Sequence, residues 1–283
     1  MENLILVDSS YTSFYRFFAT LRWMSMANKE VWAKYKDKPE YNWLKNKIFK
    51  EKYTKMYLES IVKLVKKKVY KKSMVIFCLD AKKETLWRHN LTKDYKGNRA
   101  DLSKKRNFGP TFSYTYKKLI PKLVKDNDHI FSIKEDKVEA DDIIAVVCKN
   151  MEVLNKNFPI YLVSGDEDFK QLGRKNVYFI NYKSKKLIEL SKKEAENNLL
   201  LKIICGDNSD NISCIFPKDK KLLNNKKRKE IKENKKELDK FLEENNEANK
   251  KFKLNKKLID FEMIPKKYIK NILKKYKKIY KIL

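Results

Sequence analysis

The sequence predicts an α/β protein: a mostly parallel central sheet with helices on both faces, a basic arm, and a small basic helical C-terminal region. Three observations point there. Short apolar, strand-like runs at about 3–8, 74–80, 129–133, 159–164 and 177–181 alternate with longer segments of helical periodicity, such as Tyr53-Met56-Tyr57-Ser60-Ile61-Leu64-Val65. Most of those runs end in carboxylates, and strands that end together in a parallel sheet place such side chains at one edge. With 283 residues, 42% of them hydrophobic, the chain can bury the core of one large domain, or of one domain plus an appendage.

In chain order, Leu4-Ile5-Leu6-Val7 closes on Asp8, and Val75-Ile76-Phe77-Cys78-Leu79 closes on Asp80. Then comes Trp87-Arg88, followed by Lys93-Asp94-Tyr95-Lys96-Gly97-Asn98-Arg99, where cations recur every three or four residues. That spacing predicts one basic helical face, with Lys96 and Arg99 projecting together. Glu139, Asp141 and Asp142 open a helix. Acids in a first turn suit the helix dipole, but three carboxylates in four positions exceed what capping needs. Glu139 and Asp142 share a face there, while Asp141 points elsewhere.

The run Ile160 to Gly165 leads to Asp166 and Asp168 in a strand-to-helix turn. Residues 176–190 read as a hairpin turning near Lys183-Ser184-Lys185. The apolar run Leu199 to Cys205 leads into Gly206-Asp207-Asn208-Ser209-Asp210-Asn211, which is like a calcium loop but lacks the downstream Glu. No glycine follows Ile212, and residues 212–283 hold 24 Lys and Arg against 10 Asp and Glu. Residues 218–257, poor in large apolar groups, read as solvated helices or partly disordered chain. Leu258 to Ile264 is apolar, Pro265 suits a helix start, and Ile269-Ile272-Leu273-Tyr276-Ile279-Tyr280 has helical spacing, so this end packs back on the core.

Several classes are excluded. No run approaches the roughly 20 apolar residues of a membrane span. The N-terminus lacks the charged and apolar regions of a signal peptide, which predicts a cytoplasmic protein, or one free in an infected cell. Cys78, Cys148, Cys205 and Cys214 show no paired spacing and read as reduced core thiols. His89 and His129 are too far apart to build a site, and His89 reads as exposed on the basic helix. The net charge of +30 favours a polyanionic partner through counterion release, although abundant Lys and Asn also follow from AT-rich coding.

The acids carry the chemistry. So many carboxylates at one edge repel unless cations share the site. Oxygen-only ligands select hard divalent ions, Mg²⁺ or Mn²⁺. Two such ions about 4 Å apart activate a water and stabilise the leaving 3′ oxygen of an in-line displacement. The basic segment adds a phosphate grip, with Lys96 and Arg99 stabilising charge on the phosphoryl group and Arg88, Lys93 and Tyr95 beside them. Trp87 and Tyr95 either stack on an unpaired base or belong to the core. The reading from residues alone is a metal-dependent nuclease.

The ordered set Asp8; Asp80; Tyr95-Lys96-Gly97-Asn98-Arg99; Glu139-Ala140-Asp141-Asp142; Ser164-Gly165-Asp166-Glu167-Asp168; and Gly206 to Ile212 resembles the structure-specific 5′-nuclease family of flap endonucleases and 5′-3′ exonucleases. Ile204-Cys205-Gly206-Asp207 and Leu258 to Pro265 resemble more particularly its ribonuclease H branch in T-even bacteriophages.

The resemblance implies a PIN-like 5′-nuclease core over 1–211, with a helical arch at about 84–110, and a nucleic-acid-binding region over 212–283. It implies Asp8, Asp80, Glu139 and Asp141 near a first metal, Asp166, Asp168, Asp207 and Asp210 around a second, and Asp142 as an acid of the same cluster. Lys96 and Arg99 match the basic pair of the arch through which a 5′ strand threads. DNA and RNA–DNA hybrids with 5′ ends or flaps are the implied substrates, with a phage single-strand-binding protein and a sliding clamp as partners of a monomer. The match departs after Asp210, where Ile212-Ser213-Cys214-Ile215-Phe216-Pro217 lacks the glycines of the family's duplex-binding, monovalent-ion loop. A PIN-type single-strand ribonuclease and a non-catalytic branched-DNA-binding protein are the alternatives.

Overall fold

A computed structural model describes residues 1–99, 106–153, 158–180, 182, 185–217 and 224–281. Its centre is a six-stranded sheet in the order β3-β2-β1-β4-β5-β6. The strands are β1 (Asn3–Asp8), β2 (Ser73–Leu79), β3 (Ile130–Lys134), β4 (Ile160–Val163), β5 (Val177–Ile180) and β6 (Leu187–Glu189). The first five run parallel, and β6 returns antiparallel on β5. The hairpin expected over 176–190 is therefore present, although Asn181, Lys183 and Ser184 of its turn lie outside the described residues.

Leu4 to Val7 of β1 and Met74 to Leu79 of β2 are apolar without a break because both faces are covered, as parallel sheets require. Leu4, Leu6, Met74, Ile76 and Cys78 face one side, where they meet α7 (Ala140–Val153) and α12 (Lys266–Tyr280). Ile5, Val7, Val75, Phe77 and Leu79 face the other, against α1 (Ser9–Ala27) and α3 (Lys47–Val65). On the α1 and α3 side also pack α2 (Lys29–Tyr35), α4 (Lys67–Tyr70), and α5 (Gly109–Tyr114) joined by a π turn to α6 (Ile120–Lys125).

The C-terminal third is helical where it is described. After α8 (Lys192–Cys205) come α9 (Asn225–Glu233), α10 (Lys235–Glu244) and α11 (Asn246–Ile259). Few apolar residues suffice there: Ile231, Leu238, Phe241, Leu242 and Ala248 are buried together with Ile204, Ile215 and Phe216 in a cluster of their own. α12 packs back on the sheet as expected, burying Tyr268, Ile272, Tyr276 and Ile279. No helix among the described residues is long and apolar enough to cross a membrane.

Two expectations change. The described parts of 84–110 are not one basic helix. They are 3₁₀ turns at Lys83–Thr85, Trp87–Asn90 and Gly97–Arg99, followed by α5; residues 100–105 lie outside the described part. Leu86, Trp87 and Tyr95 are buried, and Lys96 has φ +55°, which no helix accommodates. The cysteines are free, but only Cys78 and Cys148 are buried; Cys205 is exposed at the last residue of α8.

Candidate active site

The carboxyl ends of β1, β2 and β4 form one edge, and the acids that close these strands meet the starts of the helices that follow. Asp8 caps α1: its Oδ1 accepts from Tyr11 N at 2.9 Å and its Oδ2 from Ser164 Oγ at 2.9 Å. Asp80 Oδ1 accepts from Ala140 N at 2.7 Å, which ties β2 to the start of α7. Its Oδ2 accepts from Ser10 Oγ and, at 3.2 Å, from the Tyr116 hydroxyl. Asp166 caps the turn Glu167–Leu172 through Asp168 N at 3.0 Å. Gly206, with φ +71°, turns the chain out of α8 into the Asp207 loop, and a Cβ there would lie 2.3 Å from the Ile212 carbonyl oxygen.

Electrostatics divides these acids. Burial first, then the charge of Asp80, pushes the Asp8 carboxyl up to about 7. Burial, with Asp8 and Asp166 nearby, holds Asp141 well above the carboxylate range. Burial also raises Asp166, against the pull of Lys202. Among the described residues none of Asp8, Asp80, Asp141 and Asp166 makes an ion pair.

Lysines attend the remaining acids. Lys202 Nζ pairs with Asp168 and, at 2.9 Å, with Asp207. Burial alone would raise Asp207, but Lys202 and the Ser209 donors bring it down to about 2. Lys96 Nζ pairs with Glu139 and lies 3.6 Å from Asp210 Oδ2. Against its burial, Lys96 and Arg88 bring Glu139 down to about 2. Oxygens of Asp168, Asp207 and Asp210 all lie within 4.8 Å of one another, the one such group among the described residues. That oxygen-only donor set fits a hard divalent cation.

The structure thus brings Asp8, Asp80, Glu139, Asp141, Asp166, Asp168, Asp207 and Asp210 to one edge. It does not bring Asp142 there. Asp142 is fully buried, with its oxygens taken by Arg88 and by Trp87 Nε1. Arg88 is also buried and paired with Asp142 and Glu139, so it does not present a cation to nucleic acid. Tyr95 and Trp87 are core residues and not stacking platforms, since the Tyr95 hydroxyl donates to Glu139 at 2.9 Å and Asp210 at 3.1 Å.

His89 is half-buried and edge-on to Tyr95. Lys93 is exposed, whereas Lys96 is turned inward by its left-handed backbone. The side chain of Arg99 lies outside the described part. Lys202 escaped the sequence reading because a lysine in the last turn of a helix ordinarily reads as dipole compensation. Its place five residues before Asp207, on the turn that ends at Gly206, was the available signal.

Comparison with known proteins finds relatives of this chain and of its fold. Residues 3–199 match the family model for the 5′-3′ exonuclease, N-terminal resolvase-like domain. The chain is 30% identical over 234 residues to ribonuclease H of Enterobacteria phage T4, covering 78% of this chain and 75% of that protein. It is 28% identical over 167 residues to a 5′-3′ exonuclease of Mycoplasmopsis pulmonis (strain UAB CTIP), covering 56% and 52%. Two solved structures share the fold. One is the T5 5′-exonuclease with zinc bound, at TM-score 0.62, 20% identity and 99% coverage of each chain. The other is the bacteriophage T5 flap endonuclease in a pseudo-enzyme–product complex with DNA and metal ions, at TM-score 0.62, 19% identity, and 99% and 98% coverage.

Proposed function

Because the chain belongs to the 5′-3′ exonuclease family, we propose that it is a Mg²⁺-dependent 5′-nuclease that hydrolyses phosphodiester bonds at the 5′ ends and flaps of DNA duplexes and RNA–DNA hybrids. The observation that carries this reading is the acidic edge, in which Asp168, Asp207 and Asp210 offer oxygens within 4.8 Å of one another beside the carboxyl groups of Asp8, Asp80 and Asp141, which make no ion pair among the described residues.

Asp8, Asp80, Glu139 and Asp141 hold a first ion in this reading, and Asp166, Asp168, Asp207 and Asp210 a second. When bound, two divalent ions, Mg²⁺ with Mn²⁺ able to replace it, supply an activated water and neutralise the leaving oxygen. Lys96 is buried between Glu139 and Asp210, one acid from each group, and in this reading its ammonium meets a phosphate spanning them once bound cations take over those carboxylates. Arg99 is its partner in the arm. The basic helices after Asp210, which stand where the family's glycine-bearing loop would be, grip the duplex backbone by charge.

The name of the T4 relative supports RNA–DNA hybrids as substrates, and with them the removal of RNA primers and 5′ flaps during phage-type replication in an infected cell's cytoplasm. In that setting a single-strand-binding protein and a sliding clamp are the partners of a monomeric enzyme. Digestion of 5′-labelled nicked, flapped and RNA-primed duplexes with Mg²⁺ or Mn²⁺ tests the reading. Short products from the 5′ end are expected. No cleavage of any of the three overturns it, and cleavage confined to single-stranded RNA replaces it with the PIN-type alternative.

A further inference from the structure

Residues 87–96 and the start of α7 build one closed net around Arg88, which is 3% exposed. Its Nη2 donates to Asp142 Oδ1 at 2.8 Å, and its Nη1 to Asp142 Oδ2 at 3.0 Å and Glu139 Oε2 at 2.9 Å. Its Nε donates to the Leu258 carbonyl oxygen, at the end of α11, at 2.8 Å. The guanidinium lies 4.5 Å over the Trp87 ring, whose Nε1 donates to Asp142 Oδ2 at 2.9 Å. A planar fork of donors matches a carboxylate in this way, and a lysine does not. The Glu139 oxygen that Arg88 holds also accepts from the Tyr95 hydroxyl, which reaches Asp210 Oδ2 at 3.1 Å. An unbroken line of contacts therefore runs from Leu258 through Arg88 and Glu139 to Tyr95 and Asp210, from the C-terminal helices to both carboxylate groups.

We propose that Arg88, anchored by Asp142, is a positioning residue that fixes the Glu139 carboxylate for metal binding and couples the seating of the C-terminal helices to it. This rests on the nuclease reading above. An ion pair that served folding alone could be exchanged for apolar residues of similar volume without loss. The contact to Glu139 is what such an exchange does not restore.

The test compares Arg88→Met, Arg88→Lys and the double variant Arg88→Met with Asp142→Leu against the unsubstituted chain. Three readouts serve: melting in EDTA, calorimetric titration with Mg²⁺ and Mn²⁺, and kcat and KM on a flapped duplex. Arg88→Met alone, which strands Asp142, melts lower. The double variant regains much of that melting temperature, yet its kcat and its divalent-ion affinity stay down about 10–100-fold, the usual cost of losing a residue that orients a ligand, while KM is little changed.

A double variant with unchanged kcat and ion affinity overturns the inference, and so does a loss confined to KM. If the double variant fails to fold, Arg88→Lys decides: it keeps the charge but not the fork, so unchanged kcat and ion affinity also overturn it. Failure of the nuclease reading shows separately, as an unsubstituted chain that neither binds divalent ions nor cleaves.

Discussion

Asp8, Asp80 and Asp141 make no ion pair among the described residues, whereas Glu139, Asp168, Asp207 and Asp210 of the same acidic edge face lysines. Asp8 and Asp80 close strands and Asp141 opens a helix; burial first, then neighbouring carboxylates, raises Asp8 and Asp141, and burial raises Asp166 against the pull of Lys202. Burial would raise the buried Glu139 and the half-buried Asp207 too, yet Lys96 and Arg88 bring the one, and Lys202 with the Ser209 donors the other, down to about 2. The difference teaches that one set of acids has no counter-charge among the described residues, while the other set has its counter-charge built into the chain.

The largest effect expected comes from the set without lysines. Asp8→Asn keeps the Tyr11 and Ser164 contacts but loses the charge, so flap cleavage falls by about a thousandfold or more. The same variant melts higher than the unsubstituted chain in EDTA, because a raised carboxyl has been replaced by a neutral group. A lower melting temperature would break the contrast between the two sets.

Lys96→Ala comes next. Turnover falls about 100-fold, by more than duplex affinity does, because the ammonium acts on charge that develops in the transition state. An effect on affinity alone would reassign Lys96 to substrate holding.

Lys202→Met is expected to cost about 1–3 kcal/mol of stability in EDTA, read from chemical denaturation, since it strands Asp168 and Asp207. Added Mg²⁺ should recover most of that loss.

The smallest effect sharpens the comparison through pH. The folded chain holds the Asp8 proton up to about 7, against an ordinary 3.8, so this group costs the metal-free chain stability as pH rises from about 4 through 7. Glu139 and Asp207 act oppositely: their contribution is full above their ordinary values of 4.5 and 3.8 and is lost as pH falls towards 2. The melting temperature in EDTA should therefore peak between these windows. The rise in melting temperature caused by Mg²⁺ should grow by a few degrees from pH 5.5 to pH 8, because ligation needs the ionised carboxyl. A rise independent of pH would remove Asp8 from the ligand set.

The strands and most of the acids were legible because one physical signal served for both: an apolar run that must be buried on two faces, ending in a charge that cannot be. Asp8, Asp80 and Asp166 announce themselves by that rule. The segment 84–99 was misread for the converse reason. Cations at three- to four-residue spacing look like a solvated helical face, but Leu86, Trp87 and Tyr95 lie between them and are drawn into the core, carrying Arg88 and Lys96 inward. Whether a basic side chain faces water or a buried carboxylate depends on a partner far along the chain, here Asp142 and Glu139, which local periodicity does not encode. Sequence did hold one hint. The i, i+3 relation of Glu139 and Asp142 places both on a shared face, and that face is the one Arg88 occupies.

β1, the earliest in sequence of the six described strands, lies in the middle of the sheet. Leu4 pairs with Met74 on one side and with Ile160 on the other. A chain that stops short of β4 leaves β1, with its apolar run Leu4 to Val7, open along one edge, an invitation to pair with another molecule. Closing that edge over so long a separation is slow, and it is the same event that carries Asp166 to Asp8. The acidic edge is thus assembled only when β4 docks beside β1, and a chain that stops short of β4 lacks it.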